Sequence, residues 1–158
     1  MSEGKMTRNW WIMAAAGGSA ALLVAAFGFQ YLGGLLPCTL CLWQRWPHAA
    51  AILLGAAALT WPQRIWPVLG ALAALTSAAI ALFHVGVEQF WWEGLATCSV
   101  DTLAGVSVDD LLALDNNVAA PVRCDAIPWQ FLGLSMAGWN GVMSLGFAGL
   151  WLWAARAK

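Results

Sequence analysis

Charged residues are scarce in this 158-residue chain. Only 9% of its residues are Asp, Glu, Lys or Arg, whereas a soluble domain carries roughly 25%. Hydrophobic residues make up 61% of the chain, and the mean hydropathy is +0.71. This composition excludes an ordinary soluble domain and indicates an integral membrane protein, for which we expect no nucleic-acid partner.

Four windows contain no charged residue: 9–44, 46–63, 65–87 and 126–155. A helix needs about 20 apolar residues to cross a hydrocarbon core of roughly 30 Å. Each window can hold one crossing, and none comfortably holds two. The sequence therefore predicts an all-α membrane protein, a bundle of four transmembrane helices.

The boundaries of these helices follow from glycine, proline and tryptophan. We expect one membrane domain over residues 1–158, with spans at approximately 10–32, 43–60, 66–85 and 131–154 and outer loops at approximately 33–42 and 87–128. Tryptophan is enriched at membrane interfaces, and we interpret Trp151, near the end of the fourth span, as such a residue.

The basic residues predict the orientation. Five of the seven lie in the terminal tails and in the hairpin between spans two and three, and the positive-inside rule makes that side cytoplasmic. Both termini are then cytoplasmic. All four cysteines, Cys38, Cys41, Cys98 and Cys124, fall on the outer side. In bacteria that side is the periplasm, where disulfides persist.

Cys38 and Cys41 form a Cys-x2-Cys pair between two apolar runs. If a helix begins near Cys41, Arg45 lies one turn further on the same face, beside the Cys41 sulfur. A helix N-terminus and a guanidinium both favour a thiolate over a thiol. The pattern predicts a reactive Cys41 at the membrane surface.

A metal site and a structural disulfide are the alternative interpretations of this pair. Zinc sites usually combine closely spaced ligands, but Cys98 and Cys124 stand singly and the chain has only two histidines. We therefore expect no metal. A disulfide within Cys-x2-Cys removes little loop entropy, which argues against a structural role. Four cysteines allow three connectivities, and the residues alone leave the pairing open.

A redox role needs a path for electrons. Cys98 and Cys124 lie in an acidic loop that a soluble protein can reach, and thiol–disulfide exchange can join them to the first pair. Structural disulfides, with potentials below about −300 mV, cannot reoxidise a strongly oxidising dithiol protein. A quinone is lipid-soluble and takes two electrons, and Arg45 could stabilise the anion that develops on it.

The chain resembles the disulfide bond formation protein B (DsbB) family. The resemblance is carried by Cys38–Cys41 with Arg45 four residues on, by the single Cys98, and by the run Cys124–Met136. It extends over essentially the whole chain. It implies a quinone-dependent protein-dithiol oxidoreductase of the bacterial inner membrane. Such an enzyme reoxidises a periplasmic thioredoxin-fold partner of the DsbA type and reduces ubiquinone or menaquinone.

The resemblance also assigns a role to each cysteine. Cys98 matches the cysteine that the partner's thiolate attacks, and Cys124 matches its mate. Cys41 matches the cysteine that reacts with quinone, and Cys38 matches the one that exchanges with the loop pair.

Three further polar residues are interpreted in relation to this site. Arg45 matches the arginine of the family's quinone site. His84 falls near the top of the third helix, where polar residues of the family lie near the quinone; a histidine bonded to backbone at the interface is the alternative. His48 is interpreted as a polar residue of the outer turn rather than a ligand.

Two other functions compete with this one. A vitamin K epoxide reductase-like enzyme also has four helices and two cysteine pairs, but there the membrane pair comes late in the chain. A small transporter or assembly factor with structural disulfides would carry polar residues within the spans, and apart from Arg45 and the histidines we expect none there.

Overall fold

The computed structural model describes residues 2–95 and 122–157. Within those ranges the chain forms four helices, which we label α1 (Ser2–Tyr31), α2 (Thr39–Thr60), α3 (Ile65–Glu88) and α4 (Met136–Arg156). A small antiparallel hairpin, β1 (Gln130–Phe131) and β2 (Leu134–Ser135), precedes α4.

The helices pack as a bundle in which each has two main neighbours. α1 contacts α2 and α4, and α3 contacts the same two helices. Two of the helices are long and apolar enough to cross a membrane: Thr7–Tyr31, with a mean hydropathy of 1.9, and Ile65–Glu88, with 2.0. α2 and α4 carry polar side chains such as Gln44, His48 and Asn140, which lower the hydropathy of those two segments.

Small residues bring the helices together. Gly70 lies against the ring of Trp151, where an added Cβ would meet the ring at 2.5 Å, and Gly18 lies against Phe147 at 2.4 Å. Large apolar side chains such as Leu53 and Val24 point outward. This distribution is typical of membrane bundles, because lipid solvates large apolar groups and small residues allow close backbone approach.

The buried position of Trp151 corrects one expectation. We expected a residue of the membrane interface, but the Trp151 side chain is fully buried in a core cluster to which all four helices contribute. The position of a tryptophan near a helix end therefore does not show whether its ring faces lipid or packs against a glycine of a neighbouring helix.

The observed starts of α2 and α4 differ from the starts of the expected second and fourth spans. α2 begins at Thr39 instead of near residue 43, because Cys38 caps it. Residues 131–135, expected at the start of the fourth span, belong to the hairpin. Its two turn residues, Leu132 and Gly133, have φ values of 50° and 80°, the left-handed pair that a two-residue hairpin turn requires.

α4 begins directly after that hairpin. The Ser135 Oγ accepts a hydrogen bond from the Gly138 N–H at 3.1 Å, which is the usual form of an N-cap. Ser135 also donates to the Glu88 carboxylate at the end of α3. The hairpin thus fixes the start of α4 beside the end of α3, at the end of the bundle that holds Cys38.

Candidate functional site

A cavity of about 420 Å³ lies at this end of the bundle. Residues of α1, α2 and α4 and of the segment before α4 form most of its wall, which is mainly apolar. A few polar side chains interrupt the wall, and together with the two thiols they are Cys38, Cys41, Gln44, Arg45, His48, His84, Glu88, Arg123 and Asn140. Clefts of this size and character are typical of sites for small organic ligands.

Cys38 and Cys41 lie together at the wall of the cavity. Both are free thiols, and their sulfur atoms are 3.0 Å apart. Cys38 is the N-cap residue of α2, and its Sγ accepts a hydrogen bond from the Cys41 N–H at 3.3 Å. Cys38 is buried, whereas Cys41 is half-buried. The structure therefore presents the reduced state of the pair.

The environment of the pair favours a thiolate at Cys38. The hydrogen bond from the Cys41 thiol lowers the pKa of Cys38 most, burial opposes it, and a hydrogen bond and positive charge from His84 lower it further. The expectation that the helix N-terminus stabilises Cys41 is wrong in this state. α2 begins earlier than expected, so its N-terminal amide is directed at the Cys38 sulfur.

His84 connects the thiol pair to the segment that contains Cys124. Its Nε2 lies 3.6 Å from the Cys38 Sγ and 3.2 Å from the carbonyl oxygen of Cys124. Glu88, one turn further along α3, places a carboxylate oxygen 3.8 Å from the same nitrogen. The two interpretations of His84 thus coincide, because the ring bonds backbone and also lines the cavity.

Cys124 is fully buried and disulfide-bonded. It belongs to one packed cluster with Cys38, Leu40 and Val87. Cys124 therefore lies close to the Cys38–Cys41 pair. Cys98, the other expected loop cysteine, lies outside the described residues.

Arg45 lines the cavity, but its guanidinium is held by α1. Its Nη1 donates to the Gln30 Oε1 at 2.7 Å, and its Cζ lies 4.8 Å from the centre of the Phe27 ring. Among the described residues no hydrogen bond joins it to the Cys41 sulfur. Cys41 and Arg45 both line the cavity, whereas the Gln30 partner of Arg45 on α1 was not visible in the sequence.

Several polar residues of the site were missed. Gln44, Asn140 and Glu88 were not expected as site residues, and His48 was placed on the outer turn. His48 is instead buried, with its Nε2 2.8 Å from the Asn140 Oδ1 and 3.1 Å from the Ser77 Oγ. The spacing of His84 and Glu88, four residues apart at the end of an apolar run, could have indicated Glu88.

The reduced pair could also hold a metal ion. The sulfur atoms of Cys38 and Cys41 and a ring nitrogen of His84 all lie within 4.8 Å of one another. Two thiolates and an imidazole suit zinc with one position left open. His84 is 46 residues from Cys38 in the chain, so ligand spacing in the sequence could not show this group.

Known proteins resemble this chain over most of its length. Residues 7–154 match the family model described as "Disulfide bond formation protein DsbB". A protein named disulfide bond formation protein B from Methylococcus capsulatus is 36% identical over 140 residues, which cover 80% of this chain and 81% of the relative. Its namesake from Hahella chejuensis is 31% identical over 147 residues, covering 85% and 86%. No solved structure gives a significant match.

A bundle of apolar helices with a free Cys-x2-Cys pair beside an apolar cavity has the form of a membrane thiol–disulfide oxidoreductase. The matches make the assignment specific: the chain belongs to the disulfide bond formation protein B (DsbB) family. The resemblance found in the sequence is confirmed, and disulfide-forming oxidoreductase activity follows from the family. The vitamin K epoxide reductase-like and non-enzymatic alternatives lose their support.

Replacing Cys41 by Ala should raise the pKa of the Cys38 thiol, because its strongest stabilising hydrogen bond is lost. A thiol of low pKa stays ionised as the pH falls, so the alkylation rate of wild-type Cys38 should decline only at acidic pH. In Cys41→Ala the decline should occur roughly two pH units higher or more. Cys41→Ser keeps a hydroxyl donor, so its alkylation rate should decline at a pH between those of the wild type and Cys41→Ala. Alkylation rates of the reduced proteins against pH, mapped by mass spectrometry, measure this; equal profiles for the Ala and Ser variants would contradict it.

Proposed function

We propose that this protein reoxidises a periplasmic DsbA-like protein of the thioredoxin fold and passes the electrons through two cysteine pairs to a membrane quinone. The observation that carries the proposal is the position of the free Cys38–Cys41 pair. It lies at the wall of an apolar cavity and packs in one cluster with the disulfide-bonded Cys124. One side of the pair thus faces a lipid-type ligand site and the other faces the loop pair.

The proposed setting is the bacterial inner membrane, crossed by four helices with both termini cytoplasmic. Two observations support this orientation. The cavity and the hairpin lie at the end of the bundle where α1 ends and α2 begins, together with Cys38, Cys41 and Cys124. At the opposite end, the basic Arg8 donates to the carbonyl oxygens of Ala58 and Gln63, at 3.4 and 3.3 Å.

The first step is thiol–disulfide exchange in the outer loop. A thiolate of the reduced partner attacks Cys98 of the loop disulfide, the partner's second thiol resolves the mixed disulfide, and the loop pair is left as two thiols. The loop thiols then reduce a Cys38–Cys41 disulfide in the same manner. Electrons and protons balance, because each exchange oxidises one dithiol and reduces one disulfide. The free Cys38 and Cys41 have the form of the product of the second exchange.

The residues at the cavity fit a quinone as the final acceptor. The wall is apolar with few polar groups, as an aromatic head with a lipid tail requires. Cys41, Arg45 and His84 would hold it. When bound, quinone supplies an acceptor for two electrons and two protons, and the pair becomes a disulfide.

The protein's own groups prepare this oxidation. His84 and the α2 N-terminus stabilise the Cys38 thiolate. The Arg45 guanidinium, fixed by Gln30 and Phe27, keeps further N–H donors for negative charge that develops at the cavity. Such fixed donors in a dry site stabilise developing charge without reorganising.

The entry point can be tested with Cys124→Ser, which leaves Cys98 without its mate. With the Cys38–Cys41 disulfide and quinone as the oxidant, the variant should accumulate a mixed disulfide between Cys98 and a partner whose second active-site cysteine has been replaced. Non-reducing electrophoresis and peptide mapping identify the linked cysteines, and Cys98→Ser serves as the control that should not accumulate the species at this position. Linkage of the partner to Cys38 instead would show that the loop pair is not where electrons enter.

The role of Arg45 predicts a graded loss of quinone use. Arg45→Ala should lower kcat/KM for quinone on the order of 30- to 100-fold, as expected for a lost hydrogen bond to a charged group. Arg45→Lys keeps the charge but loses the planar fork, and its loss should be smaller. Gln30→Leu is the matched control, because it frees the guanidinium without removing it and should cost only a few-fold.

A single exchange between the partner and the loop pair should continue at the normal rate in all three variants. It can be followed by rapid quenching and thiol alkylation in the absence of quinone. If Arg45→Ala stops this exchange and leaves quinone kinetics intact, Arg45 serves the fold or partner docking rather than the quinone site.

A further inference from the structure

The chain turns back on itself directly after α3. The Trp91 N–H donates to the Gly86 carbonyl oxygen at 2.9 Å, and Phe90 between them has a φ of 57°. A hydrogen bond of this span beside a left-handed residue is the usual form of a helix end that reverses the chain. Glycine most often takes the left-handed position, but here it is a phenylalanine. The residues that follow are thereby returned to the surface of α3.

The Trp92 side chain packs against α3 immediately after this turn. Its ring lies so close to Gly86 that any side chain at residue 86 would overlap it. The Trp92 Nε1 donates to the Phe83 carbonyl oxygen at 3.0 Å, and the Trp92 and Phe83 rings stack with their centroids 5.8 Å apart. The Trp92–Gly86 contact therefore exists only because residue 86 has no side chain.

The Trp92–Gly86 contact borders the cluster that buries Cys124. This cluster consists of Cys38, Leu40, Val87 and Cys124, and the residues packed against it are Cys41, Phe83, Leu95 and Val122. Phe83 is the residue on which the Trp92 ring stacks, and Leu95 follows Trp92 by three positions in the chain. Trp92 thus holds two residues against the cluster, Phe83 through its ring and Leu95 through the backbone.

Burial of Cys124 limits which sulfur of its disulfide can be attacked. Cys124 is disulfide-bonded and its side chain is fully buried, and thiol–disulfide exchange depends on access to the attacked sulfur. A thiolate from solution can therefore attack only the other sulfur, which in the proposed function is that of Cys98. A new bond forms to Cys98, the bond between Cys98 and Cys124 breaks, and its electron pair leaves on Cys124.

We propose that Trp92, in contact with Gly86, is a specificity-determining residue of this exchange. By holding Phe83 and Leu95 against the cluster, it directs incoming thiols to Cys98 and releases the Cys124 thiolate inside the cluster. Attack on Cys124 would instead leave the adduct inside the cluster and free the wrong sulfur. Trp92 acts through its neighbours, so it is a positioning residue. The entry at Cys98 rests on the proposed function, whereas the burial of Cys124 rests on the described residues.

Glutathione is a suitable probe, because it is a small thiol that can attack without docking. The test uses the full-length protein with Cys38→Ser and Cys41→Ser, so that the disulfide of Cys124 is the only one. After brief exposure and an acid quench, the freed sulfur is alkylated, and mass spectrometry shows which cysteine carries glutathione. With the Trp92–Gly86 contact intact, the adduct should be almost entirely on Cys98.

Gly86→Ala places a methyl group where the Trp92 ring lies, although alanine itself favours the helix. The share of adduct on Cys124 should then rise on the order of tenfold, as expected when overpacking weakens a closed conformation, while the rate of attack on Cys98 stays the same. Trp92→Ala should give a similar rise, and the two substitutions together should give no more than either alone. Gly146→Ala is the matched control, because nothing lies within 4 Å of its added Cβ.

The inference is overturned if the protein with Gly86 and Trp92 intact already carries glutathione equally on both cysteines, or if Gly86→Ala leaves the distribution unchanged. It is also overturned if the effects of Gly86→Ala and Trp92→Ala multiply, because the two residues would then act independently. The proposed function is judged separately, with all four cysteines present. If that protein fails to reduce quinone with electrons from a reduced partner while the preference for Cys98 is intact, only the proposed function is overturned.

Discussion

The hydrogen bond between the His84 ring and the carbonyl oxygen of Cys124 determines the arrangement of the site. It fastens α3 to the segment that leads back from the outer loop, and the same ring nitrogen faces the Cys38 sulfur. Since the carbonyl oxygen only accepts, the neutral His84 ring carries its hydrogen on Nε2. The His84 side chain therefore holds the Cys124 segment beside the Cys38–Cys41 pair and also contacts the Cys38 sulfur.

The position of α1 in the bundle supports the proposed use of a lipid-soluble acceptor. Only 17% of the apolar window of α1 is buried, against 39% for α3, so most of the α1 surface faces away from the bundle. α1 also forms one wall of the cavity and holds the Arg45 guanidinium through Gln30. The proposed quinone would approach the cavity from the lipid side along this wall, beside Cys41 at the start of α2.

The sequence predicted the parts of the structure that depend on one-dimensional properties. Windows without charge located the four helices, because the length of an apolar run is written in the chain itself. The hairpin at residues 130–135 was missed because its apolar residues continue the composition of α4, and only the left-handed Leu132–Gly133 turn separates them. The cap of α2 was misplaced by a few residues, which was enough to direct the N-terminal amide to Cys38 instead of Cys41.

The polar interior was beyond the reach of sequence patterns for a different reason. His48 and Asn140 are 92 residues apart, and each alone resembles an isolated polar residue in an apolar helix. Only the hydrogen bonds that link them through Gln44 to His84 show that they belong to one site. The composition did predict that polar groups inside the spans would be few, and their convergence on one cavity then depends on how the helices pack.

Oxidation of the Cys38–Cys41 pair by quinone at the adjacent cavity is the central claim, and a single turnover tests it most directly. In a protein with Cys98→Ser and Cys124→Ser, Cys38 and Cys41 are the only thiols, and they can be reduced and mixed with a short-chain quinone without oxygen. Quinol formation and thiol loss are then measured together. The account predicts one quinol for each Cys38–Cys41 disulfide formed; thiols that remain free, or quinol formed without their loss, would contradict it.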